Sequence, residues 1–293
     1  MQITNGAEIT RSKKAKIITY SKPGDGKTTV AGLLPGKTLV FDIDGTSQVL
    51  EGYKNVDVAK IDGNNPHDSI LQFFAYAKAN INKYDNVFVD NLTHYQKLWL
   101  LKKGENTKSG MPELKDYALL DNHLLKLVET FNSLDANVIY TAWETTTKII
   151  DVDGQQINQF VPDIRDKIVN HIMGIVHVVA RLVRKTDGSR GFILEGNQNI
   201  FAKNHLDERK GCLQEELIKN SAAPSTVEKE EPKKFKRDAY YYHPESDTFA
   251  EFKAGQEVPK GIDFEHCNPL SKEEYDKGIK EQQINLKEKG ENK

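Results

Sequence analysis

The sequence predicts an α/β protein with a mostly parallel central sheet flanked by helices, plus a small C-terminal β-hairpin/helical module. Three observations carry this reading. Short β-rich apolar runs alternate with helical patterns over the first 220 residues. The first of these runs, KIITY, leads directly into the turn SKPGDGKTT. At about Ser221 the composition changes to Pro, Ala, Ser and charge. Strands that alternate with helices imply parallel neighbours, because a parallel strand returns through a crossover that packs on the sheet.

The elements run in order. AKIITY (15–20) is the first strand and KTTVAGLL (27–34) the helical pattern after its turn. KTLVFDID (37–44) and VDVAKI (56–61) are the next strands, and HDSILQFFAYAKANIN (67–82) is a helix. NVFVDN (86–91) returns to strand, LKDYALLDNHLLKLVETFNSL (114–134) is a long helix, and ANVIYTAW (136–143) is a strand again. GIVHVVARLVRK (174–185) and RGFILEG (190–196) flank TDGS, whose Asp187-Gly188 pair is a hairpin signal. SAAPSTVEKEEPKKFKRD (221–238) reads as a charged flexible linker. YYYHPESDTFAEFKAG (240–255) reads as a small hairpin whose tyrosines form its apolar face, and the remainder as a charged helix or frayed tail. The expected domains are therefore 1–220, the linker 221–238, and an accessory module with its tail over 239–293.

Bulk composition narrows the class. The 41 Lys+Arg and 43 Asp+Glu give a net charge of -2, so any nucleic-acid site is local, built from loops. Two distant cysteines, Cys212 and Cys267, make neither a disulfide framework nor a zinc pattern. No apolar run is long enough to span a bilayer and the N-terminus has no signal-peptide core, so the expected location is cytoplasmic, with no membrane partner.

The stretch Ser21-Lys22-Pro23-Gly24-Asp25-Gly26-Lys27-Thr28 matches a phosphate-binding loop except that serine replaces the first glycine. Consecutive backbone amides form an anion nest there, and glycines let the chain curl around phosphate. The following helix N-terminus, at Thr29, adds favourable partial charge. Lys27 reaches the terminal phosphates of ATP and Thr28 ligates Mg²⁺. The alternative, a strand-to-helix turn with an exposed lysine, fits the strand context and the Gly-Lys-Thr ending poorly. NVFVDN supplies Asp90 as the acid on the metal side. Hydrolysis also needs a group that positions water, and Asp42, Asp44 and Glu144 all end strands at the edge where α/β ligands bind. Asp42 serves equally well as a turn cap, and Asp44 is the favoured base.

The order of these motifs resembles a RecA-like P-loop NTPase core. The series SKPGDGKTT, LVFDIDGT, VFVDNLT, VIYTAWET and VPDIRDKIVNHIMGIVHVVARL resembles bacteriophage RecA-like proteins of the single-strand annealing group. The resemblance runs from about Lys14 to Leu217 and excludes the C-terminal module. It implies an ATPase that binds single-stranded DNA, assembles with itself into a ring or filament, and works beside a phage single-strand-binding protein in a bacterial host. Asp44 falls where such proteins place a catalytic glutamate, and Glu144 or Thr141 lies near the γ-phosphate sensor. The DNA loops would be LLKKGENTKSGMPELK, with Lys102, Lys103, Lys108 and Lys115, and ETTTKIIDVDGQQINQFVPDIRDK, with Lys148, Arg165 and Lys167. Phe160 either stacks on a base or anchors its loop. A basic residue completing a neighbour's site would come from the late hairpin or the segment after it, with Lys203 and Arg209 favoured over Arg181, Arg184, Lys185 and Arg190. The histidines lack ligand spacing, and Trp143 either stacks on adenine or fills the core. Two other readings stand beside the recombination ATPase: an ATP-bound adaptor or loader with slow hydrolysis, and a P-loop kinase, which the absence of an arginine-rich lid disfavours.

Overall fold

The computed structural model describes residues 5, 14–150, 153–218, 235–244, 246–256 and 267–290. They form two compact units, within Met1–Val227 and Glu228–Lys293. Most of the expected linker, 221–234, lies outside the described residues.

The first unit is a ten-stranded sheet with helices on both faces. Its elements are β1 (Lys16–Ser21), α1 (Val30–Leu33), β2 (Thr38–Asp42), β3 (Val56–Lys60), α2 (Pro66–Ala79), β4 (Asn86–Asp90), α3 (Leu92–Gly104) and α4 (Leu114–Asn132). They continue with β5 (Asn137–Ile150), β6 (Gln156–Pro162), α5 (Asp166–Ile175), β7 (Val178–Arg184), β8 (Arg190–Ile193), β9 (Lys203–Asn204) and β10 (Gly211–Leu213). The strand order is β10-β8-β7-β1-β5-β4-β2-β3, parallel from β7 to β3 and antiparallel at the β8 and β10 edge. The mostly parallel sheet expected from the strand–helix alternation is therefore present.

Alternation along the central strands builds two cores, since successive strand side chains point to opposite faces. Ile18 and Tyr20 of β1 and Val138 and Tyr140 of β5 enter the core beneath α2, α3, α4 and α5. Ile17 and Ile139 enter the smaller core on the other face, with Val30 and Ala31 of α1, Phe192 of β8 and Leu217.

Three elements differ from the sequence expectation. The helix after the phosphate-loop motif is only four residues, because Leu34 (φ -69, ψ 144) is extended ahead of Pro35. The segment after Asp90 is the helix α3, capped by the Asn91 side chain accepting from the His94 amide at 2.7 Å. The segment after Trp143 is no loop: β5 runs on to Ile150 and pairs with β6 from Glu144↔Pro162 to Ile150↔Gln156. The β-branched run TTTKII supports that pairing. Beyond it α5 buries Ile168, Val169, Ile172 and Met173 on one face.

The second unit is a three-stranded antiparallel sheet, β12-β11-β13, made by β11 (Ala239–His243), β12 (Thr248–Phe252) and β13 (Asn268–Leu270), with the helix α6 (Lys272–Gly290). Tyr240 is buried and packs 5.1 Å from Tyr275 of α6, while Gly278 lets the Phe249 ring close on the helix, where a Cβ would sit 2.4 Å away. The tyrosines of this sheet thus serve its packing.

Candidate active site

The turn after β1 and the ends of β2, β4 and β5 meet at the carboxyl edge of the sheet around a cavity of about 370 Å³. Gly24 (φ +88) and Gly26 (φ +98) hold left-handed backbone that side-chain-bearing residues rarely adopt. Lys27 is buried, and its Nζ donates to the carbonyl oxygens of Ser21 and Lys22, each at 3.0 Å, and to Ser21 Oγ at 3.3 Å. Serine at the first motif position therefore supplies a contact glycine lacks. Burial lowers the Lys27 pKa, opposed by the nearby carboxylates of Asp90, Asp25, Asp44 and Glu144. With α1 only four residues long, little helix dipole acts at this turn.

Because β5 lies between β1 and β4, Asp90 meets the loop across Thr141 of the intervening strand. Asp90 Oδ1 accepts from the Thr141 hydroxyl, and Asp90 Oδ2 from Thr28 Oγ1 at 2.5 Å. Burial, followed by repulsion from Asp44, pushes the Asp90 pKa up to about 6, against the bonds from Thr141 and Thr28. Thr28 Oγ1 also lies 3.0 Å from Thr46 Oγ1, which lies 2.7 Å from Asp44 Oδ1. These three oxygen–oxygen contacts share only the two protons of Thr28 and Thr46 when both carboxylates are ionised. The cluster is acceptor-rich, the donor chemistry of a hard cation, with Lys27 as the cation beside it. Among the described residues no group of three or more His, Cys, Asp or Glu could hold a metal.

The other acids separate by partner. Asp42 is buried and caps its turn, accepting from the amides of Gly45 at 2.8 Å and Thr46 at 3.1 Å. Asp44 lines the cavity and accepts from Asn91 Nδ2 at 2.6 Å. Glu144 is held by Arg181 Nε at 2.6 Å, its side chain only 5% exposed, and Arg181 in turn covers the Phe160 ring at 3.9 Å. Glu144 therefore belongs to an ion pair at the root of the β5–β6 hairpin, and Phe160 anchors that hairpin to the core. Trp143 lines the cavity mouth beneath the Lys97 ammonium, 4.2 Å from the ring centroid. Pro23, Gly24 and Thr29 also line the cavity, and Asp25 sits half-buried in the same turn.

The basic residues expected to reach DNA or a neighbour divide similarly. Lys108, Lys148 and Lys167 are exposed, Lys167 on α5 and not in a loop. Lys102 pairs with Glu105, Lys115 with Glu113, and Lys103 lies over Trp99. Arg165 is forked onto Asp121 and stacked over Tyr117, so it braces α4. Lys203 donates to the Gly174 carbonyl at 3.0 Å. Arg209 is engaged by Asp207 at 2.9 Å and by the carbonyls of Glu216 and Leu217. Both favoured trans residues thus make contacts within their own chain.

Two contacts carry no mark in the sequence motifs. Gln214 donates to the Gly26 carbonyl at 2.7 Å, and no motif includes it. Arg190 lines the cavity against Gly26, whereas the sequence offers it only as one of six basic residues for a neighbour's site, behind Lys203 and Arg209.

A glycine-bent loop after β1, a buried lysine within it and an acid facing it across one strand define a P-loop ATPase-like domain. The chain belongs to the AAA domain family, whose model matches residues 13–206. No curated protein matches it. Among the described residues no helix is long and apolar enough to cross a membrane.

Proposed function

We propose that the chain binds ATP with Mg²⁺ in this cavity, hydrolyses it, and couples turnover to single-stranded DNA in phage recombination or annealing. The observation that carries the nucleotide reading is the convergence of Lys27, Thr28, Asp90 and Asp44 on one cavity behind two left-handed glycines. Lys27 and the loop amides bind the β- and γ-phosphates. Thr28 and Asp90 hold the Mg²⁺, which when bound neutralises developing phosphate charge. Asp44, kept in place by Asn91 and Thr46, orients the attacking water and takes its proton. Thr141 fixes the Asp90 carboxylate from the neighbouring strand.

The DNA part is supported by exposed Lys108, Lys148 and Lys167, and by Lys102 and Lys115, whose surface ion pairs exchange cheaply for phosphate. Assembly into a ring or filament, with a phage single-strand-binding protein beside it, completes the reading by resemblance. One observation favours an ATP-bound adaptor instead: Arg165, Lys203 and Arg209 are committed internally. The deciding experiment is the ATP hydrolysis rate with and without single-stranded DNA, with Lys27→Ala as the blank. A DNA-dependent rise that vanishes in Lys27→Ala supports the recombination ATPase. ATP binding with a flat response to DNA moves the assignment to the adaptor.

A further inference from the structure

The antiparallel edge of the sheet, away from β4 with Asp90 and from the turn after β2 with Asp44, closes over the phosphate loop from the opposite side. Arg190 opens β8 and its side chain lies on the loop: a Cβ placed on Gly26 would stand 3.1 Å from both Arg190 Cζ and Nε. The guanidinium lines the same cavity as Lys27 and Thr28. Arg190 Nε is buried and has no hydrogen-bond partner, the one such side-chain atom among the described residues. A buried donor left unpaired is costly, and native proteins rarely keep one without a purpose. By contrast, the neighbouring hairpin arginine Arg181 is paired with Glu144.

From this geometry we infer that Arg190 is a phosphate ligand of its own subunit's site, the second cation beside Lys27, and that its unpaired Nε donates to a phosphate oxygen of the bound nucleotide. The inference rests on the nucleotide reading of the cavity. It differs from the expectation that a neighbouring subunit completes the charge, because Arg190 reaches the loop from within the chain. A guanidinium forks onto two phosphate oxygens, whereas an ammonium acts as a point charge. Gly26 has a second role here beside its left-handed backbone: any side chain at that position would push against the arginine.

The test uses the full-length chain, with a fluorescent ATP analogue for binding and phosphate release for turnover. Arg190→Ala is expected to weaken ATP binding about tenfold or more, the scale of a lost charge-assisted hydrogen bond. Arg190→Lys is expected to recover only part of that loss, and it keeps the inference testable if the alanine variant melts early. Mixing Arg190→Ala with Lys27→Ala separates cis from trans action. At an ATP concentration too low to fill the Arg190→Ala site, an arginine working in its own subunit leaves the turnover of the mixture no higher than the average of its components. Recovered turnover in the mixture overturns the inference, because then the arginine of one subunit serves the lysine of another. Wild-type affinity in Arg190→Ala overturns it too, while leaving the nucleotide site standing through the loss in Lys27→Ala. If the wild-type chain binds no ATP, the nucleotide reading falls and the inference falls with it.

Discussion

Gln214 and Gly26 are 188 residues apart in sequence, yet the Gln214 amide donates to the Gly26 carbonyl at 2.7 Å. Gln214 is itself buried, and it lies beyond residues 13–206 that match the family. A trans peptide points its C=O and N–H in opposite directions, so this bond also sets which way the Lys27 amide faces. Gln214→Ala is expected to raise the KM for ATP several-fold while kcat changes less. It should lower stability by about 1–2 kcal/mol for the abandoned carbonyl. Steady-state kinetics and denaturant melts on the same preparation check both.

Asp44 and Glu144 are both acids near Lys27, but their partners assign them different work. Asp44→Asn should bind ATP normally and lose about a hundredfold in turnover, the scale of a missing general base. Glu144→Gln should instead lose about 3 kcal/mol of stability, since it leaves Arg181 half-paired where both side chains are nearly buried. Turnover per folded molecule should change far less in Glu144→Gln than in Asp44→Asn. The opposite ranking would move the base to Glu144.

His123 gives the fold an acid-sensitive point away from the cavity. Burial, with help from the charges of His67 and Lys103, pushes its pKa down to about 4, and Tyr95 Oη lies 2.7 Å from its Nε2. The unfolded chain takes up the proton near pH 6.5, and the folded one only near 4. Stability tied to this group is therefore complete above pH 6.5 and drains away as pH falls towards 4. His123→Gln keeps a partner for Tyr95 and should flatten the fall in Tm across that window. Asp90, whose folded pKa is raised, acts in the opposite direction but equally in both proteins, so the difference between the two curves isolates His123.

Exposed lysines should reveal any DNA path by salt dependence. Lys108→Glu and Lys148→Glu, one in each expected loop region, should weaken single-stranded DNA binding and reduce the slope of log affinity against log salt. Arg165→Ala should lower the Tm, because that guanidinium already holds Asp121. Fluorescence anisotropy at three salt concentrations distinguishes these outcomes. Unchanged anisotropy in both lysine variants would leave the adaptor reading.

The phosphate loop and the Asp90 strand are legible in the sequence because their chemistry is local. Glycines at fixed offsets, a lysine and a threonine come after an apolar strand, and a second apolar strand ends in an acid. The partners that tune them are not legible. Gln214 and Arg190 reach Gly26 only because β8 and β10 fold back antiparallel at the sheet edge, a non-local event with no periodic trace. The β5–β6 hairpin reads as loop in sequence because polar residues such as Thr145, Thr147 and Lys148 fill a strand with little core to face. Helix α3 is hidden for the converse reason: its apolar residues are spread around the axis, so no amphipathic stripe announces it. Asp42 is balanced between two roles in the sequence, and the amides of Gly45 and Thr46 decide which one it fills.

One strand has two trades. β5 brings Thr141 to Asp90 at the sheet edge and then, without a break, runs on to Ile150 as an arm paired with β6. At about 3.3 Å per residue the arm extends about 30 Å beyond Thr141. Its root is stiff, since Tyr20 Oη donates to the carbonyls of Phe160 at 3.0 Å and Phe201 at 2.8 Å. The backbone bonds of Phe160 to Asn199 and Phe201 carry that anchorage out to the Thr146↔Phe160 pair, so movement of the outer arm is held off the Asp90 site.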